Sequence, residues 1–184
     1  MGIRRMCFDT ENGAFLPPVY GFGTEDGIRE YFRDRSVRFD CGVVYDVLRR
    51  RYCAFREAGK MVAMLSRADE LISFNGKRWD FIMLEKQVGP DCVDRSLRRI
   101  HHHDLLGWQG RYELRALARS VMPKEEMERL DDYQQYDGHY NGLGFGEFLS
   151  GRLSKCRCDV QLTYAVFRRY EAALAQNSGL HPQP

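Results

Sequence analysis

Asp9 and Glu11 stand two positions apart in the segment Arg5-Met6-Cys7-Phe8-Asp9-Thr10-Glu11, which has an apolar centre and runs into Asn12-Gly13. On a strand, residues i and i+2 leave the same face, so both carboxylates emerge together near the strand's C-terminal end. Like charges held that close are tolerated in full solvent or with a cation between them, and oxygen-rich clusters suit Mg²⁺ or Mn²⁺. The pair alone is unspecific, because 26 acids in 184 residues give about four such spacings by chance. Two further acids add context. Asp80 falls in the first turn of a helix that follows a strand and an Asn75-Gly76 turn, which places it at the strand tips. Asp159 lies near the start of the last apolar helix, where attraction to the helix dipole is an equally good reason for an acid.

Periodicity supplies the elements that must position these acids. Residues 41–48 and 52–55 are strand candidates separated by an arginine run, so the first three strands form an antiparallel meander. Met61, Met64, Leu65 and Ala68 recur at helical spacing. A short strand at 71–74 leads to a helix over 79–88, stopped by Gly89-Pro90. An irregular or helical piece carrying Val93, Leu97 and Ile100 precedes a fifth strand at 102–106, and a helix over 112–122 ends at Pro123. Residues 14–27 and 131–146 read as loops, the second rich in Tyr, Gly, Asp and Gln, and 156–176 reads as the last long helix. The expected architecture is α/β: a mixed five-stranded sheet with helices on both faces and the four acids at one edge. One domain over 1–176 and a tail over 177–184 complete it.

Composition limits the function classes. With 43% hydrophobic and 29% charged residues, the chain is neither collagen, coiled coil nor disordered throughout. No stretch approaches the roughly 20 apolar residues of a membrane span, and with Asp9 interrupting any signal-peptide core the expected location is cytoplasmic. The net charge of +2, from 28 basic and 26 acidic residues, does not by itself announce a nucleic-acid binder. Six scattered cysteines without a CxxC pair read as reduced thiols. His101-His102-His103 invites a zinc site, but successive side chains on a strand point to opposite faces, which favours a structural role.

The order of these motifs resembles the DEDD superfamily of 3′-to-5′ exonucleases, the DnaQ-like branch of the ribonuclease H-like fold. Phe8-Asp9-Thr10-Glu11 is similar to the family's first motif, Ser73-Phe74-Asn75-Gly76 through Trp79-Asp80 to its second, and Cys156-Arg157-Cys158-Asp159-Val160 to its third. His103-Asp104-Leu105-Leu106 is similar to a segment of stand-alone members of the YprB-like type. The resemblance covers most of the chain. It implies that Asp9, Glu11, Asp80 and Asp159 hold two Mg²⁺ or Mn²⁺ ions about 4 Å apart, one activating a water and the other stabilising the leaving 3′-oxygen. The implied substrate is single-stranded nucleic acid with a free 3′ end, released as nucleoside monophosphates, with Thr10, Asn75, Lys77 and Arg78 as substrate contacts. Asn75 either touches the terminal nucleotide or supports its turn. Asp104 is either an auxiliary ligand or a strand-end cap.

One position departs from the pattern. The family places a Tyr four residues, or a His five residues, before the last Asp to orient or deprotonate the attacking water. Here those positions hold Lys155 and Ser154. A charged lysine is no general base. Lying one helical turn before Asp159, it is placed for a phosphate, an attacking hydroxide or a neighbouring carboxylate. Two consequences are open: a slow nuclease, or a site completed by Tyr133, Tyr136, His139 or Tyr140 from the loop, whose aromatic residues would also serve as a substrate lid. The alternative from another class is a catalytically impaired nucleic-acid-binding or scaffold domain of the same fold.

Overall fold

The computed structural model describes residues 2–12, 25–33, 38–130 and 145–177. Five strands form one sheet: β1 (Arg5–Asn12), β2 (Phe39–Asp46), β3 (Arg51–Phe55), β4 (Glu70–Ser73) and β5 (His101–Asp104). Their spatial order is β3-β2-β1-β4-β5. The first three pair antiparallel, while β4 runs parallel to β1, and β5 parallel to β4. This is the ribonuclease H-like arrangement expected from the sequence. Central β1 is covered on both faces, which is why its apolar run is continuous rather than alternating.

The helices divide between the two faces. Met6, Phe8 and Val44 point toward α1 (Glu25–Arg33), α2 (Ala58–Leu65), α3 (Asp80–Val88) and α4 (Pro90–Ser96), where Ile28, Phe32, Met61, Leu65, Phe81 and Leu97 complete one core. Cys7, Val43 and Ile72 point the other way, toward α5 (Leu114–Val121), α6 (Lys124–Leu130) and the long α7 (Phe145–Asn177), and pack on Leu117, Met127, Val160, Val166 and Phe167. The period of two along β1 thus sends Thr10 to the first layer, and Asp9 and Glu11 to the α7 layer.

Turns make the strand tips. Asn75 sits at φ 65°, a left-handed conformation that asparagine tolerates. The next residue must be glycine, because a Cβ at Gly76 would collide with Ser73 Oγ. That hydroxyl accepts from the Gly76 N–H at 3.1 Å and lies 2.7 Å from His102 Nε2. His102 packs against Phe8 and Phe81 with ring centres at 5.6 and 5.0 Å, whereas His103 faces the opposite layer against Phe167 at 5.0 Å. The histidine run is therefore structural, its members split by the strand. All six cysteines are free thiols.

The structure corrects several boundaries. Residues 25–33 are helical although 14–27 reads as loop; Ile28 and Phe32, four apart, are buried and carry α1 onto the core. Helix α6 follows Pro123, whose carbonyl accepts from the amides of Glu126 and Met127 at 3.1 Å each. The last helix opens at Phe145, inside the expected loop and well before position 156. Gly151 and the serines at 150 and 154 weaken helix propensity there, but Arg152 and Cys156 are buried and Leu153 packs against the core. Tertiary contact overrides propensity. Tyr133, Tyr136, His139 and Tyr140 lie outside the described residues. Among the described residues, no helix is long and apolar enough to cross a membrane.

Candidate metal centre

Strand β1 delivers Asp9 and Glu11 to the face that α7 covers, and α7 supplies Lys155 and Asp159 one turn apart. Oxygen atoms of Asp9, Glu11 and Asp159 all lie within 4.8 Å of one another, a set of three carboxylates that can share a metal ion. Asp159 Oδ1 and Asp9 Oδ2 are buried and accept no hydrogen bond. A buried acceptor without a donor costs about 1–3 kcal/mol, more when charged, a cost that either a proton or a cation at these oxygens relieves. The hard carboxylate donor set and the two vacant oxygens fit Mg²⁺ or Mn²⁺. Arg152, seven residues before Asp159 on the same helix face, ties α7 to the sheet by donating to the Asn12 carbonyl and pairing with Asp40. Cys156 adds its Sγ at 3.2 Å from the Asp9 carbonyl oxygen.

Lys155 is the cation paired with two of these acids, and the charge of Arg152 also acts on Glu11. Lys155 Nζ pairs with Glu11 Oε1 and lies 3.1 Å from Asp159 Oδ2. Despite burial, the surrounding carboxylates of Asp159, Glu11 and Asp9 hold its pKa well above the ordinary value, so it stays charged. The pKa values of Asp9 and Glu11 rise as well, which for a carboxyl favours the neutral form. Burial, followed by the charges of Asp159, Asp80 and Glu11, pushes Asp9 well up, and burial also raises Glu11 against the pull of Lys155.

Asp80 arrives from the other layer. At the start of α3 it is buried and accepts a hydrogen bond from the Thr10 hydroxyl. Burial raises its pKa to about 7, with the charges of Asp104 and Glu11 adding to the shift. It lines the same cleft as Asp9 and Glu11, a space of about 320 Å³ also bounded by Phe74, Asn75, Trp79 and Lys155, but it is outside the group of three acids that meet. Thr10 is buried, and its hydroxyl serves Asp80.

The remaining sequence candidates divide. Asp104 accepts from the backbone N–H groups of Asn75 at 2.7 Å, Lys77 at 2.9 Å and Leu106 at 3.1 Å, which makes it the cap of the turn. Lys77 is exposed and Arg78 half-buried, and both lie outside the described lining of the cleft. Asp159 is not a helix-start acid: α7 opens at Phe145, about four turns earlier, too far for the dipole to act. Two cleft walls escaped sequence reasoning, Phe74 and Trp79. Their signal was position, flanking Asn75-Gly76 inside the motif that contains Asp80. Trp79 is held edge-on against Phe32 of α1 at 5.0 Å, a contact no local pattern reveals.

No family model matches this sequence, and no curated protein matches it. In shape the chain is similar to the family B DNA polymerase of the hyperthermophilic archaeon Pyrobaculum calidifontis, with a TM-score of 0.56 and 15% identity over 92% of this chain and 24% of the polymerase. The chain therefore spans about a quarter of that polymerase's length, and the likeness is one of fold: an α/β domain built on a mixed five-stranded sheet.

Proposed function

We propose that this chain, as a single domain over residues 1–176, is a metal-dependent 3′-to-5′ exonuclease that hydrolyses phosphodiester bonds at the 3′ end of single-stranded DNA or RNA. The observation that carries the reading is the meeting of Asp9, Glu11 and Asp159 within 4.8 Å, with two buried carboxylate oxygens left vacant. Asp9, Glu11 and Asp159 would hold a first Mg²⁺ or Mn²⁺, and Asp80, lining the same cleft, would hold a second together with Asp9. When bound, the ions polarise the phosphoryl group and lower the pKa of a water enough to make it a nucleophile at neutral pH. The fold's likeness to a DNA polymerase supports a nucleic acid as substrate.

The chain's own groups do the rest. Thr10 turns Asp80 toward the cleft by holding one of its oxygens. Phe74 and Trp79 offer apolar walls in the cleft, suited to a terminal base. The Asn75 turn, braced by Asp104, keeps the tips of β1 and β4 at a fixed separation, and Lys77 and Arg78 follow it as phosphate contacts. Lys155 cannot take a proton from water because it is already charged. Its role is to hold Glu11 and Asp159 together and to offset their charge.

That same ammonium favours a second reading, a catalytically impaired nucleic-acid-binding or scaffold domain in which Lys155 permanently replaces the metal. One experiment separates them: 5′-labelled single-stranded DNA and RNA incubated with Mn²⁺, Mg²⁺ or EDTA, using the native protein, Asp9→Ala and Asp159→Ala. A ladder shortening from the 3′ end, dependent on metal and absent in both variants, is the exonuclease. Retarded but intact oligonucleotides in every lane establish the binding domain.

A further inference from the structure

A second cleft of about 490 Å³ opens on the α7 side of the sheet, away from the carboxylates, lined by Tyr45 of β2, Tyr52 of β3 and Tyr164 of α7. The rings form a connected group, with Tyr45 4.7 Å from Tyr52 and 5.2 Å from Tyr164 between centres. Arg157 lies over the Tyr52 ring at 4.8 Å, leaving its N–H edges outward. Arg168 and Arg169 also line the cleft; Arg169 is spent on Glu126, whereas the side chains of Arg157 and Arg168 are exposed. Arg157, Gln161, Tyr164 and Arg168 follow one another at i, i+4, i+7 and i+11, one stripe of α7 about 16 Å long. That stripe lies on the helix flank opposite Lys155 and Asp159.

From this placement we infer that the tyrosine cleft is a binding site for a segment of single-stranded nucleic acid, with bases lying against the tyrosine group and phosphates meeting Arg157 and Arg168. Flat rings accept any base face and guanidinium forks match phosphate oxygens. The stripe's length suits several phosphates, which are spaced about 3.4 Å along a stacked strand. Burial raises the Tyr52 and Tyr164 phenols, so both remain neutral hydroxyl donors at physiological pH. Glu126 adds no net repulsion because Arg169 neutralises it. The site goes beyond the nuclease reading: it grips the body of a strand and needs neither metal nor cleavage.

The test is fluorescence anisotropy of a 5′-labelled oligothymidylate 12-mer in EDTA, where no hydrolysis occurs. Replacing both exposed arginines, Arg157→Gln with Arg168→Gln, is expected to raise Kd about tenfold and to flatten the slope of log K against log salt by about 1.4. Tyr52→Leu is expected to cost about tenfold, with Tyr52→Phe restoring binding because the ring face returns. The arginine pair is expected to change Kd and salt slope by the same factors in an Asp9→Ala background, which assigns the loss to this cleft whether or not the carboxylates cut. Near-ultraviolet circular dichroism checks that each variant is folded. No binding by the native chain, or unchanged affinity and salt slope in the arginine pair, overturns the proposal. So does displacement of the oligonucleotide by a Glu-Tyr copolymer at equal concentration, which would assign the cleft to an acidic protein segment.

Discussion

Two acids at the carboxyl ends of strands in the same sheet have opposite surroundings. Asp104, closing β5, has three backbone N–H groups on its carboxylate, from Asn75, Lys77 and Leu106. Asp9, on β1, has a buried oxygen with no donor, and so does Asp159 beside it. The first is an acid whose lone pairs the chain fills; of the second pair, Asp159 has Lys155 beside one oxygen, and each acid keeps another oxygen without a donor. Asp80 stands between these cases, with one oxygen held by Thr10 and its pKa pushed to about 7, chiefly by burial. An acidic residue near a strand tip is thus a brace where amides fill its lone pairs and a candidate ligand where they do not.

The largest test of that contrast removes the vacant oxygens. Asp9→Ala and Asp159→Ala are each expected to abolish saturable Mn²⁺ binding by calorimetry and to lower 3′-end hydrolysis by about 10³-fold or more, since metal-derived charge stabilisation is worth several kcal/mol. If either variant retains Mn²⁺ at native affinity, the unpartnered oxygens are not ligands. Next comes the internal cation. Lys155→Met removes the ammonium from Glu11 and Asp159, and because these pairs are only part-buried the cost falls below that of a fully buried pair, on the order of 1–3 kcal/mol. Urea unfolding in EDTA is expected to show that loss, and Mn²⁺ to recover much of it. Equal stability of Lys155→Met and native protein in EDTA would mean that solvent already screens these acids.

Much of this contrast was legible before any coordinates. The period of two in Phe8-Asp9-Thr10-Glu11 places both acids on one face, and the structure sends that face to α7. The Asn75-Gly76 dipeptide declares its turn, which Asn75 at φ 65° bears out. What could not be read was which layer each acid comes from. Asp80 belongs to α3 and meets Thr10, on the reverse face from Asp9, so the four acids of the resemblance divide into three whose oxygens meet and one that reaches the same cleft from the other layer. The start of α7 was hidden for a different reason: Gly151 and its neighbouring serines are poor helix formers, and only packing of Arg152, Cys156 and Asp159 against β1 makes them helical. Phe74 and Trp79 were likewise visible as residues but not as walls, because their placement depends on α1 and the distant β1.

On the satisfied side of the comparison, Asp104→Ala removes the acceptor of three amides and leaves the Asn75-Gly76 turn without its brace. Hydrogen bonds to a charged group contribute about 1.5–3 kcal/mol, so a stability loss of about 2–3 kcal/mol is expected in urea titrations, with Mn²⁺ affinity unchanged. A fall in Mn²⁺ affinity matching that of Asp9→Ala would make Asp104 a ligand after all and erase the distinction between the two tips.

A pH-dependent effect isolates the intermediate acid, Asp80. Its folded pKa of about 7 lies above the unfolded value near 4, so between about pH 4 and 7 the folded state binds the extra proton and is stabilised as pH falls, by at most about 1.4 kcal/mol per unit. His102 acts with the opposite sign. Burial lowers its pKa to about 3, so below about pH 6.5 the unfolded chain takes up a proton that the folded one refuses, and stability is lost. The two trends oppose each other in the native protein, and the raised Asp9 and Glu11 add to the first, so a simple stability profile would not resolve Asp80. The difference between native protein and Asp80→Asn removes the histidine term. In EDTA that difference is expected to move in favour of the native protein on acidification from pH 8 to 5, because neutral asparagine has no charge to lose. Excess Mn²⁺ is expected to reverse the trend, since a bound cation keeps Asp80 ionised and is released as the acid protonates. A pH-independent difference in both buffers would place Asp80 with Asp104, as an acid already satisfied by its neighbours.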